Sequence, residues 1–137
     1  MISFFDACKI HIEGTAYVLP SEVPELLGKG AMIVDIRNDI ETMMRAFGVE
    51  EVYYLPFTEL EERYSSLPVD RPLIVADAVG LNSKKAVAFL KSKGYAFTAG
   101  LAGGIADWEK DGFPMKPDRY QTLDGPCLCM TRPRSKS

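Results

Sequence analysis

The sequence predicts an α/β domain, with a parallel central sheet of about five strands and helices on both faces. Short runs made almost wholly of apolar residues recur along the chain, which is typical of strands that are buried on both sides. The segments between these runs have apolar residues at helical spacing. This alternation favours a parallel sheet, because consecutive parallel strands need a crossover and a helix usually provides it.

The composition is that of one ordinary globular domain. The chain has 137 residues and a net charge of −3, and its one basic cluster is a C-terminal tail of Arg132, Arg134 and Lys136 that we interpret as solvated. No apolar run approaches the ~20 residues that span a bilayer, and no signal peptide opens the chain. Three cysteines, an odd number, do not form a disulfide framework. We therefore expect a cytoplasmic protein without nucleic-acid or membrane partners.

The strand predictions rest on short apolar runs that proline, glycine or polar residues bound. Residues 7–12 are compatible with a short edge strand. The core strands that follow are residues 17–19, 31–36, 52–55, 73–76 and 95–98.

The helix predictions in the first half rest on capping residues and apolar spacing. Ser21 is the expected N-cap of a short helix that ends at Gly28. Asn38 and Glu41 have the spacing of a capping box at the start of the next helix. Core packing is expected for the apolar residues that follow, Ile40, Met43, Met44 and Phe47.

The later helices follow the same logic. Thr58 and Glu61 repeat the capping-box spacing, and Leu60 and Tyr64 supply the buried side of that short helix. Another helix begins at Ser83. The last helix covers residues 101–110 and turns Ile105 and Trp108 inward.

The central strand, residues 73–76, leads into a short loop and then into the helix at Ser83. This geometry aims consecutive backbone N–H groups at one point above the sheet edge, where an anion or an anionic side chain is held. The first residue of the loop is Asp77. We expect its carboxylate to accept hydrogen bonds from the amides of residues 79–83. Asp35, Arg37 and residues 100–104 also follow strand ends, where the sites of parallel sheets lie.

Three segments together resemble a rhodanese-like domain. Residues 33–37 (IVDIR) with Glu41 are similar to the family's Asp-Val-Arg…Glu opening, and residues 55–60 (LPFTEL) to its Ile-Pro-…-Glu-Leu segment. Residues 101–108 (LAGGIADW) with 112–114 (GFP) resemble its closing Gly-Gly…Trp…Gly-Pro signature. The resemblance divides the chain into an N-terminal extension (1–16), a rhodanese-like domain (17–116) and a tail with a Cys-x-Cys motif (117–137).

The resemblance also implies a changed site. Active members of the family carry a cysteine as the first loop residue, and its thiolate takes sulfur from a donor such as thiosulfate and holds it as a persulfide. In this chain that position is Asp77, and no arginine or lysine occurs in the loop Asp77, Ala78, Val79, Gly80, Leu81, Asn82. Residues 46–52 also depart from the family's Gly-His-Ile-Pro-Gly-Ala.

These departures imply a protein that is not an active thiosulfate sulfurtransferase. It would instead be a binding or regulatory module for an unidentified protein partner. In this interpretation Asp77 caps its own loop, and Asp35 and Arg37 form a structural pair that supports it. A nucleophilic role for Asp77 would need a base or metal partner, and the loop sequence has neither.

The cysteines at the two ends of the chain leave three alternatives open. Cys8, His11, Cys127 and Cys129 are four residues of the kind that bind a structural zinc, although their spacing is not the usual one. Cys127 and Cys129, with Cys8, could instead be working thiols of a sulfur-handling or redox protein. The third alternative is a buried Cys8 and two unremarkable tail thiols. No cofactor other than this zinc is expected.

Overall fold

A computed structural model of the chain describes residues 10–12 and 15–116. The strands in chain order are β1 (Ile10–Ile12), β2 (Thr15–Val18), β3 (Met32–Asp35), β4 (Val52–Tyr54), β5 (Leu73–Ala76) and β6 (Thr98–Leu101). The helices are α1 (Val23–Gly28), α2 (Asp39–Met44), α3 (Leu60–Arg63), α4 (Ser83–Ser92) and α5 (Gly104–Lys110).

The six strands form one sheet in the order β1-β2-β6-β5-β3-β4. The neighbouring pairs β2–β6, β6–β5, β5–β3 and β3–β4 are all parallel, and β5 lies in the middle between β3 and β6. This confirms the predicted parallel α/β architecture. β1 pairs antiparallel with β2 and adds the edge strand that residues 7–12 indicated. The sheet therefore includes residues before Tyr17, which we expected to belong to an N-terminal extension.

Helices cover both faces of the sheet because its central strands are apolar on both sides. Ile33 and Ile74 point into one core, which α1 and α5 close with Val23, Ile105 and Trp108. The alternate residues Val34 and Val75 point into a second core, which α3 and α4 close with Leu60, Ala86, Val87 and Leu90. This explains why neither strand has the polar alternation of a half-exposed strand.

The last strand begins three residues later than predicted. Tyr95 is buried, but it packs in the second core instead of starting a strand. Its hydroxyl donates to the carbonyl oxygens of Tyr64 and Leu67. β6 pairs in register with β5 from Thr98 onward. Position 100 of this strand is a glycine, because a Cβ there would lie 2.9 Å from the Tyr17 ring of the neighbouring strand. The following helix accordingly begins at Gly104 rather than at residue 101.

The prediction of core packing for the α2 residues was wrong for all but Phe47. The capping box of Asn38 and Glu41 is present, but α2 ends at Met44 and none of its side chains is buried. Arg45 is extended, so Phe47 leaves the helical face and packs edge-on against Trp108, with ring centroids 5.3 Å apart. Ile40, Met43 and Met44 are exposed.

The capping predictions for α1 and α3 were also wrong. Short 3-10 turns, residues 20–22 and 57–59, lead into these helices, and no side chain caps either helix. Among the described residues, no helix has the length and apolar character needed to cross a membrane.

Candidate functional site

The carboxylate of Asp77 fills the loop that follows the central strand β5. Its Oδ1 accepts from the backbone N–H of Gly80 at 2.5 Å, and its Oδ2 accepts from those of Asn82 and Ser83 at 2.6 and 3.3 Å. The residue is only 5% exposed. The loop thus binds the carboxylate of its own first residue, as expected from the sequence, and its amides converge on that carboxylate.

Helix α5 holds the backbone of this loop from behind. The N–H groups of Ile105 and Ala106 donate to the carbonyl oxygens of Asp77 and Ala78 at 2.9 and 3.1 Å. Gly104 permits this close approach, because a Cβ there would lie 2.4 Å from the Asp77 carbonyl oxygen, and its φ is +61°. The loop is therefore anchored through its carbonyl groups while its N–H groups point at the Asp77 side chain.

Asp35 and Arg37 form a buried, bidentate ion pair at the end of β3. Arg37 donates from Nε to Oδ1 at 2.9 Å and from Nη2 to Oδ2 at 2.7 Å. Its Nη1 also reaches the carbonyl oxygen of Glu41 at 3.4 Å, and the guanidinium lies 5.8 Å from the centroid of the Phe47 ring. The pair ties the strand end to α2, and Asp35 neutralises the charge of Arg37 at short range.

A cleft of about 260 Å³ lies between this pair and the Asp77 loop. Residues 36–38, Glu41, residues 56–58, residues 77–79 and residues 81 and 82 line it. Among these described lining residues, Arg37 is the only cation, and Glu41 and Asp77 are the anions. With Arg37 paired to Asp35, the cleft is electrostatically unfavourable for a small anion.

Tyr17 lies close enough to the Asp77 loop for the charge of Asp77 to change the pKa of its phenol. Burial raises the pKa of Tyr17 above its ordinary value, and the negative charge of Asp77 raises it further. Its ring packs over Gly100, whose missing Cβ makes the room, and the Ser83 hydroxyl adjoins the same position. No local pattern in the sequence places Tyr17 at the site, whereas Gly104 lies in the segment 100–104 that was expected at this edge of the sheet.

The terminal residues of the predicted metal or redox group fall largely outside the described residues. Cys8, Cys127 and Cys129 are all beyond them, and of His11 the structure describes only the backbone, in β1. No group of three or more potential metal ligands occurs in the described part of the chain. The zinc and thiol hypotheses thus stay predictions.

Comparison with known proteins identifies the family of this chain. The chain is 31% identical over 84 residues to a sulfurtransferase of Allochromatium vinosum, with 61% of this chain and 77% of that protein covered. It is 28% identical over 102 residues to thiosulfate sulfurtransferase GlpE of Haemophilus influenzae, with 72% of this chain and 91% of that protein covered.

The fold comparison agrees with the sequence comparison. The structure of a rhodanese-related protein from Thermoplasma volcanium matches with a TM-score of 0.66 and 26% identity, covering 73% of this chain and 96% of that one. The family model of the rhodanese-like domain matches residues 19–111. This chain belongs to the rhodanese-like domain family.

Proposed function

We propose that this protein is a rhodanese-like domain without thiosulfate sulfurtransferase activity, which acts as a binding or regulatory module for a protein partner in the cytoplasm. The observation that carries the proposal is the position of the Asp77 carboxylate. It occupies the point on which the amides of Gly80, Asn82 and Ser83 converge. In active members of the family, by our sequence assignment, a cysteine thiolate holds that point.

The chemistry of the side chain supports this proposal. Sulfur transfer requires a thiolate that attacks the outer sulfur of the donor and keeps it as a persulfide, while sulfite leaves. A carboxylate at position 77 has no sulfur that could be extended in this way, and its oxygens are poor nucleophiles toward sulfur. Replacing the thiol therefore removes the covalent intermediate on which the reaction depends.

The charges around the cleft support it independently. Thiosulfate is a dianion, and its capture needs cations that are not already compensated. The cation of the cleft, Arg37, is bound by both oxygens of Asp35, and Glu41 and Asp77 add negative charge. A neutral or basic group of a partner protein suits this cleft better than an anionic sulfur donor.

The decisive experiment is a thiosulfate:cyanide sulfurtransferase assay on three forms of the full chain. We expect the wild-type protein to release thiocyanate no faster than a reaction without protein. Cys8→Ser/Cys127→Ser/Cys129→Ser removes every thiol, so turnover by the wild type that this variant lacks would assign the chemistry to the terminal cysteines. Turnover that survives in the variant would refute the role given to position 77.

Asp77→Cys in the thiol-free background separates the two arguments. The loop amides should hold the new thiolate and lower its pKa, which the rate of alkylation as a function of pH measures. We nevertheless expect slow turnover, because Arg37, the cation among the described lining residues, is compensated by Asp35 and does not recruit the donor. Rapid turnover by this variant would show that the charge argument is wrong and that the thiol alone is missing.

A further inference from the structure

Helix α2 presents an apolar surface that the described part of the chain leaves uncovered. Ile40, Met43 and Met44 have the i, i+3, i+4 spacing of one helical face, and their exposed fractions are 71%, 48% and 50%. We call these three residues the α2 face. A six-residue helix has little stability of its own, and in most proteins it is held by burial of its apolar side. Exposed clusters of this kind mark interaction sites, and methionine is common in them.

A groove of about 400 Å³ is lined by two residues of this face and by the last described residue. These residues are Met43, Met44 and Lys116, and Tyr54 also lines the groove. The Lys116 N–H donates to the carbonyl oxygen of Ala46 at 2.9 Å, and its Nζ lies 5.8 Å from the centroid of the Tyr54 ring. The last described residue therefore lies in the groove.

The segment that follows has the reach and the chemistry to cover the α2 face. The eleven residues from 117 to 127 can span up to about 40 Å, whereas α2 is about 9 Å long. Residues 127–130 are apolar (Cys-Leu-Cys-Met), and they are followed by Arg132, Arg134 and Lys136 with no acidic residue among them. Helix α2 has the opposite charges, Asp39 and Glu41, and no basic residue.

We propose that residues 127–136 of this chain bind intramolecularly to the α2 face. Leu128 and Met130 cover Ile40, Met43 and Met44, and Arg132 and Arg134 lie beside Asp39 and Glu41. Covalent attachment keeps the tail at an effective concentration of the order of millimolar, which favours it over a second copy at ordinary protein concentrations. The proposal does not depend on the chemistry of Asp77, and it stands or falls separately.

Methionine oxidation measures whether the face is covered. The full chain is exposed to hydrogen peroxide, and sulfoxide at Met43 and Met44 is followed by peptide mass spectrometry. A contact that is occupied about four-fifths of the time slows oxidation about fivefold. We expect Leu128→Asp/Met130→Asp to oxidise about fivefold faster than the wild type at both sites. Buried Met32 serves as the internal measure of an intact fold.

A matched control adds the same charges to the tail outside the proposed contact. Gln121→Asp/Thr122→Asp should leave the oxidation rates of Met43 and Met44 as in the wild type. Arg132→Glu/Arg134→Glu should speed oxidation, and adding Asp39→Lys to that variant should restore protection. This rescue distinguishes a specific contact from a general effect of charge.

Three results would overturn the proposal. The first is equal oxidation of Met43 and Met44 in the wild type and in Leu128→Asp/Met130→Asp. The second is a loss of protection when the wild-type protein is diluted, which would assign the face to a second copy. The third is equal loss of protection in the Gln121→Asp/Thr122→Asp control.

Discussion

Backbone N–H dipoles of its own loop surround the Asp77 carboxylate. Each carboxylate oxygen accepts from loop amides, and the charge-assisted bonds replace the water that the buried group has lost. The same bonds determine the path of the loop, because the N–H groups of Gly80 and Asn82 must both point inward.

Asp77→Asn tests this contribution with almost no change of shape. An amide side chain has only one acceptor oxygen, so in either orientation its NH₂ group faces at least one loop N–H group, donor against donor. We expect the free energy of unfolding at neutral pH to fall by about 1–2 kcal/mol. Denaturant unfolding measures it. Asp70→Asn, at an exposed position, is the matched control. Equal effects of the two substitutions would contradict the structural role of Asp77.

At the scale of elements, the junction between the Asp77 loop and α5 depends on a glycine. Gly104 has a φ of +61°, and its position leaves no room for a Cβ against the carbonyl oxygen of Asp77. Gly94, after α4, has a φ of +98° but nothing within 4 Å of the Cβ position. Alanine substitutions at the two glycines therefore distinguish the cost of a positive φ from the cost of a steric collision.

We expect Gly104→Ala to be much more destabilising than Gly94→Ala. The left-handed conformation alone costs an alanine about 1–2 kcal/mol at either position. The collision at Gly104 adds about 1–3 kcal/mol, because the loop backbone and α5 must move apart. Thermal or denaturant unfolding of both variants provides the comparison. Similar losses at the two sites would show that α5 adjusts without strain.

At the scale of the whole molecule, Tyr95 links two regions that are distant in sequence. Its hydroxyl donates to the carbonyl oxygens of Tyr64 and Leu67 at 2.8 and 2.9 Å, and its ring is buried in the second core. Burial raises the pKa of Tyr95 above its ordinary value of 10.0, and Tyr64 raises it further. The folded domain thus favours the protonated phenol, whose single O–H group is shared between the two carbonyl oxygens.

The sign of the pH effect follows from this shift. A pKa that is higher in the folded state gives a stabilisation that is complete below the unfolded pKa and is lost as the pH rises through the folded pKa. We expect the free energy of unfolding to fall above a pH of about 10. Tyr95→Phe should be less stable near neutral pH by about 1–2 kcal/mol, and its stability should fall less steeply at alkaline pH. The result is contradicted if the two proteins lose stability in parallel above that pH.

The metal hypothesis for the chain ends also belongs to this scale. It requires Cys8, His11, Cys127 and Cys129 to meet around one ion, with ligand distances of about 2.0–2.3 Å. Elemental analysis of protein purified without chelator tests it. Less than about a tenth of an equivalent of zinc counts against a four-ligand site.

The sequence by itself determined the architecture and the chemistry of the central loop. Strands such as Ile33–Val34 and Ile74–Val75 are apolar at consecutive positions, which is the pattern of a strand buried on both faces, and the sheet has that form. The strand-loop-helix order around Asp77 was sufficient to predict that the loop amides would close on its carboxylate. The Asn38–Glu41 capping box was predicted for the same reason, since each of these features depends on residues a few positions apart.

Only the tertiary structure decided which apolar residues are covered and where strands begin. Met43 and Met44 have a core-like spacing, but burial depends on what packs against a helix, and the described chain leaves about half of each side chain exposed. β6 begins at Thr98 because its pairing partner β5 sets the register, whereas Tyr95 has a stronger local strand signal. The approach of Tyr17 and Gly104 to the Asp77 loop has the same origin. Local sequence encodes periodicity and turn chemistry, but contacts between distant segments depend on the whole fold.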